Sequence, residues 1–226
     1  MVSKVINKIK GWHLKLLSSG GRAVLIRHVL LALNVHILVA VHPTKATIAT
    51  IERCITEVKW LKPPLLFIKL NSDGSCVNGN CGGGGVVRDN CGKMFMAYAI
   101  PMSQGTSNLA EAETLLFGLK WCVQQGYGLI IGETYSLLLH NCTQGICSTP
   151  WRIKSVVMEV KTLVEQKGLI IRHCFREENQ VADKMASLSH QLEEVYIFTY
   201  FDKLLRQVKG LLNVDRWKIS ALRVKK

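Results

Sequence analysis

Three extended runs, joined by links too short for anything but hairpins, occupy residues 66–102 and dictate how the rest of the chain must be arranged. "LFIKLNSDGS" alternates like a strand, with Phe67, Lys69 and Asn71 on one face and Ile68 and Leu70 on the other. Glycines at 79 and 82–85 are read as a tight turn into "GGVVRD", and Gly92 precedes a third run, "GKMFMAYAIPM". Strands joined so closely must be antiparallel neighbours. "LKPP" at 61–64 marks where this region begins, because neither proline continues a helix.

Beyond residue 102 the period changes from two to that of a helix. In "SNLAEAETLLFGLKWCVQQGYG" the residues Glu111, Leu115, Leu119, Cys122 and Val123 recur at helical spacing, and Gly126 closes the run. A strand at 129–135, "LIIGETY", follows, then a short helix near 136–145. "TPWRIKSVVMEVKTLVEQKG" is amphipathic, with Pro150 near its start and Gly168 at its end. "LIIRHCF" is a fifth strand, and "REENQVADKMASLSHQ" holds a helix beginning near Asn179. The order predicts an α/β fold: a mixed five-stranded sheet, three antiparallel strands then two parallel, flanked by helices.

Charge divides the chain. Residues 1–62 carry +8, residues 63–190 only +1 and residues 191–226 +4, which together make the net +13. Basic ends around a neutral middle fit contact with a polyanion such as nucleic acid. The eight cysteines form no C-x-x-C pair and no zinc-finger spacing, so free thiols in a reducing compartment are expected. Residues 23–41 approach membrane-spanning length, but Arg27, His28, Asn34 and His36 interrupt them. Arg27 alone would cost about 2.5–3.5 kcal/mol at a bilayer centre. The run reads as a buried or partner-seeking helix, with no membrane association.

Acids fall where elements end. Asp73 closes the first strand, Glu111 opens the first long helix, and Asp183 lies early in the last one. Taken singly, each would serve as a helix-dipole partner or cap. Brought to one sheet edge, they would repel and need divalent cations to stay ionised together. Such cations can activate water for phosphodiester hydrolysis.

On these residues, "LKLNSDGS", "GGGGVVRD", "SNLAEAE", "IIGETYS" and "IRHCFREENQVADKMA", the chain resembles the plant branch of the ribonuclease H family over about residues 66–190. The resemblance implies an endonuclease that cuts the RNA strand of an RNA–DNA hybrid, using four acids and two Mg²⁺ ions, with Mn²⁺ as an alternative. Asp73, Glu111 and Asp183 match the first, second and fourth acids. The third falls at Tyr135, where the family pattern E-T-D-S reads E-T-Y-S. Asn108 matches a hybrid-contacting position, and Gly74 and Ser75 are expected close to RNA 2′-hydroxyls. The mobile histidine that precedes the last helix in many relatives is missing, and His173, inside a strand, is read as structural.

Residues 1–62 are similar to the end of the reverse transcriptase of plant LINE-type, non-LTR retrotransposons, without the paired polymerase aspartates. The expected organisation is therefore a helical reverse-transcriptase remnant at 1–62, a ribonuclease H-like domain at 66–190 and a basic helical tail at 191–226. The expected activity is that of a hybrid ribonuclease weakened at Tyr135. The alternative is a nucleic-acid-binding or decayed retroelement fragment without turnover. A monomer is expected, nuclear or cytoplasmic and not secreted.

Overall fold

A two-residue turn fixes the register of the sheet. Strands β1 (Ile68–Val77) and β2 (Asn80–Arg88) pair antiparallel from Val77 opposite Asn80 onward. Asn78 and Gly79 between them take φ of 51° and 83°. Two left-handed residues make the hairpin turn whose twist matches that of its strands, and Asn-Gly is its favoured sequence. In the computed structural model, which describes residues 55–224, the turn is confined to these two residues. Gly82–Gly85 lie inside β2, not in a turn as the sequence reading had them. A β-carbon on Gly83 would sit 1.7 Å from Thr114 Oγ1, and one on Gly84 would sit 2.3 Å from the backbone nitrogen of Ala186. Successive glycines thus clear both faces of β2 for closely packed helices.

After β3 (Met94–Gln104) come helix α1 (Ser107–Gln124), strand β4 (Ile130–Thr134), helix α2 (Leu137–Thr143), helix α3 (Lys154–Lys167), strand β5 (Ile170–His173) and helix α4 (Gln180–Ser189). Thr106 caps α1 by accepting from the Leu109 backbone N–H, and Gly168 ends α3 in the left-handed region at φ 64°. The sheet is mixed, as expected, but it gains a sixth strand. β6 (Tyr196–Phe198) pairs antiparallel with β3, giving the order β5-β4-β1-β2-β3-β6. Helix α5 (Arg206–Arg216) follows it. The elements from β1 to α5 belong to one unit, Glu57–Arg223. Of the segment 1–62 expected to be helical, residues 1–54 lie outside the described residues, and Ile55–Val58 form a short strand instead of the end of a helix. No helix among the described residues is long and apolar enough to cross a membrane.

The two faces of the sheet bury different chemistry. On one, α1, α2 and α3 cover Ile68, Leu70, Val87 and Ile130 with Leu115, Leu119, Leu139, Val157 and Val160. Leu115 and Leu119 are fully buried as their spacing predicts, while Val123 is partly exposed. On the other, α4 and α5 bring Val181, Met185, Val208 and Leu212 against Val86, Ala97 and Phe198. That second face also holds a buried polar layer. The Lys69 ammonium contacts Glu133 at 2.5 Å and donates to the Leu61 carbonyl. Asn71 donates to Glu133 and accepts from both Trp60 Nε1 and Arg88 Nη2. Arg88, 1% exposed, pairs with Asp215 of α5 at 2.6 Å and lies 3.7 Å over the Trp60 ring.

Cys76 and Cys81, directly opposite across the hairpin, form a disulfide, which corrects the expectation that every thiol is free. Cys91, Cys122, Cys142, Cys147 and Cys174 are unbridged.

Candidate active site

β1 is the central strand of the site. It is parallel to β4 and antiparallel to β2, so both of its edges are paired, and Asp73 is 7% exposed at its polar end. The register that sets Asn71 beside Glu133 and Ser72 beside Thr134 carries Tyr135 toward the level of Asp73. Glu111, 6% exposed, sits one turn inside α1. Its carboxylate accepts from the Thr134 hydroxyl at 3.4 Å, and the nearby Gly74 backbone N–H favours its charged form. The close approach needs glycine at 74, because a β-carbon there would lie 2.2 Å from the Glu111 nitrogen.

Burial pushes the Asp73 carboxyl up to about 7, with the nearby negative charge of Asp183 adding to it and Arg176 opposing it. Burial likewise lifts Glu111 to about 8, with Asp73 contributing and the bonds from Gly74 and Thr134 opposing. Asp73 thus stands electrically between the other two acids. Asp183, half-buried in the first turn of α4, is paired with Arg176 at 3.2 Å. Asn179, just before α4, is 1% exposed and donates to the Ser72 carbonyl, which pins the start of that helix to β1.

Tyr135 is 43% exposed just past the end of β4, and its carbonyl lies 3.1 Å from His173 Nε2. Glu133, the nearest acid on that strand, is committed to Lys69 and Asn71 in the buried layer, so it does not substitute for the missing carboxylate. Asn108 is exposed in the first turn of α1. The Ser75 hydroxyl lies 3.2 Å from His190 Nε2 at the end of α4.

Two neighbouring acids whose burial disfavours their charged forms are a donor set that one hard divalent cation would relieve, and Asp73 with Glu111 suits one such ion. A second ion lacks that support. Tyr135 offers a phenol in place of a carboxylate, a poor ligand for a hard cation, and Asp183 already has a guanidinium partner. Among the described residues, no three His, Cys, Asp or Glu side chains gather as a metal-holding group.

Sequence reasoning passed over Arg176 and Thr134. The signal for Arg176 was a cation seven residues before Asp183, inside the quoted "REENQVAD".

Residues 71–189 match the family described as Reverse transcriptase-like. No curated protein matches the chain. Among solved structures, RNase H1 of the archaeon Halobacterium salinarum is 19% identical with a TM-score of 0.53, covering 55% of this chain and 98% of that one. An N-terminal RNase H domain from Mycobacterium tuberculosis, solved fused to maltose-binding protein, is 21% identical with a TM-score of 0.52, covering 55% and 94%. LC11-RNase H1, solved with an RNA/DNA hybrid, is 22% identical with a TM-score of 0.50, covering 54% and 95%. At these identities the likeness is one of fold.

Proposed function

This chain belongs to the reverse transcriptase-like family, and on that footing we propose that it binds RNA–DNA hybrid and hydrolyses the RNA strand slowly. The observation that carries the proposal is the pairing of Asp73 with Glu111, two buried carboxyls held up to about 7 and about 8 at the end of the central strand. A divalent cation, Mg²⁺ or Mn²⁺, bound by these two acids would supply an activated water and charge compensation at the leaving oxygen. Gly74 and Thr134 orient the Glu111 carboxylate for that task. Tyr135 leaves the third corner without a carboxylate, and Arg176 takes up the charge of Asp183. Both changes lower the number of anionic oxygens that could hold a second ion. Gly74, Ser75 and Asn108 are proposed contacts to the hybrid. The LINE-type origin, the reverse-transcriptase remnant at 1–62, the boundaries 66–190 and 191–226 and the monomeric state are proposals from sequence resemblance and charge.

The Arg176–Asp183 pair favours a second reading, a hybrid-binding module without turnover. A labelled-hybrid cleavage assay in Mg²⁺ or Mn²⁺ separates the two. Slow cleavage, abolished by Asp73→Asn, supports hydrolysis. Tyr135→Asp should raise the rate about 10²–10⁴-fold, which corresponds to roughly 3–5 kcal/mol of transition-state stabilisation. Binding without cleavage, in the parent and in Tyr135→Asp alike, establishes the second reading.

A further inference from the structure

The proposed chemistry uses one end of α4 and leaves its outer side unexplained. Between α4 and the start of α5 lies an open groove of roughly 430 Å³, lined by Lys184, Ser187, Leu188 and Gln191 on one side and by Arg206 and Gln207 on the other. That volume falls within the ~300–1,000 Å³ usual for binding clefts. Its chemistry is mixed: two cations and a set of neutral hydrogen-bonding groups flank two leucines, Leu188 on α4 and Leu205 just before α5.

The groove shares helix α4 with the candidate active site. Lys184 follows Asp183 directly, and the Ser187 hydroxyl, one turn on, donates to the Asp183 carbonyl at 2.9 Å. At the other end of α4, His190 lies beside Ser75, and Gln191 is the next residue along. The α4 wall therefore runs from the fourth-acid position to the end of the strand expected to face RNA. Among the described residues neither Lys184 nor Arg206 takes part in a salt bridge, unlike Arg88, Arg176 and Arg223. Two free cations with amide and hydroxyl donors suit the backbone of a nucleic acid, where contacts position the strand without reading its bases.

We propose that the α4–α5 groove is a second nucleic-acid contact, which holds the phosphates of a strand as it leaves the Asp183 end of the site. The proposal rests on the hybrid-binding reading above. It extends that reading to residues 205–207, which lie outside the matched family segment. Recognition there is independent of sequence, through the Lys184 point charge and the Arg206 fork.

The test is the binding of a long labelled hybrid by the full chain as salt rises from about 50 to about 300 mM. The Lys184→Ala/Arg206→Ala variant is compared with Lys154→Ala/Lys167→Ala, which removes the same charge from exposed positions on α3. Thermal melts confirm that both variants fold. Loss of two phosphate contacts should make the slope of log K against log salt about 1.8 units shallower. Affinity at about 100 mM salt should fall about tenfold, with a much smaller change in the α3 variant. If the parent binds hybrid and the two variants behave alike, the groove is not a contact, while the hybrid-binding reading stands. If the parent does not bind hybrid at all, that reading fails and this proposal fails with it. If poly-glutamate binds as tightly as hybrid, with the same loss in the groove variant, the groove serves an acidic protein and the proposal is overturned.

Discussion

The two faces of the sheet are buried to similar depth by opposite means. Under α1 and α3 the residues are apolar, mostly aliphatic with Tyr98 among them, and stability comes from area removed from water and from close packing. Under α4 and α5 a hydrophobic cluster adjoins Lys69, Asn71, Arg88, Glu133 and Asp215, each at most 9% exposed. The aliphatic face tolerates changes that keep volume. The charged one tolerates only changes that keep charges matched, because a charge left alone in the interior costs far more than a lost methyl group. The site lies where the charged layer ends, one strand position beyond Asn71 and Glu133 on the same side of the sheet. A strand held by matched charges keeps its acids in register even though the acids themselves repel.

The sharpest way to break this contrast is Asp215→Ala. It strands the Arg88 guanidinium in the interior, where burial already pulls its pKa down and Asp215 is the first influence restoring it. The expected loss is about 3–5 kcal/mol in a urea melt. Replacing the pair together, Arg88→Met with Asp215→Leu, should recover most of that loss. A single variant that costs less than about 1 kcal/mol would mean that water reaches the layer.

On the aliphatic face, Leu119→Ala should cost about 2–5 kcal/mol, because Leu119 is fully buried. Leu119→Met should cost less than about 1.5 kcal/mol. If the methionine variant were as damaging as the alanine one, shape and not volume would govern this face.

A third expected effect concerns pH. Asp73 and Glu111 have folded-state pKa values of about 7 and about 8, against about 4 in the unfolded chain. Between those values the folded state binds more protons, so the stability the pair contributes is present below about pH 4 and is lost as pH rises toward 8. With chelator present, the urea midpoint of the parent should fall between pH 5 and 8 more steeply than that of Asp73→Asn. Equal slopes would show that Asp73 is ionised throughout.

The contrast between the faces also explains what could be read from sequence. α1 was legible because one of its faces meets aliphatics, which leaves the spacing of Leu115 and Leu119 unmasked. The strands are legible by period, but the period does not show that Lys69 and Asn71 are buried. Alternation cannot distinguish water from a buried layer that is itself polar. Lys69 and Arg88 find their partners 64 and 127 residues away, far beyond any local pattern. The glycine run reads as a turn because glycine usually marks one, and the helices that need its bare surface come later in the chain. β6 has three residues, too few for a period to show. The acids were legible only through resemblance. Nothing in their spacing shows that Asp73 lies between Glu111 and Asp183, or that Arg176 answers the last of them.

Trp60 and Asp215 both lie outside the residues that define the family, 71–189, and both end in the same buried layer. The unit that can be passed intact from one protein to another is therefore longer than the unit recognised by likeness. A recombination event that cut at the family's edges would carry off Arg88 without its counter-ion and Asn71 without one of its donors. Such a transplant would inherit the acids and lose the means of keeping them aligned. Shuffling of this domain among genes should accordingly leave breakpoints upstream of Trp60 and downstream of Asp215, as a tally of natural fusion junctions can check.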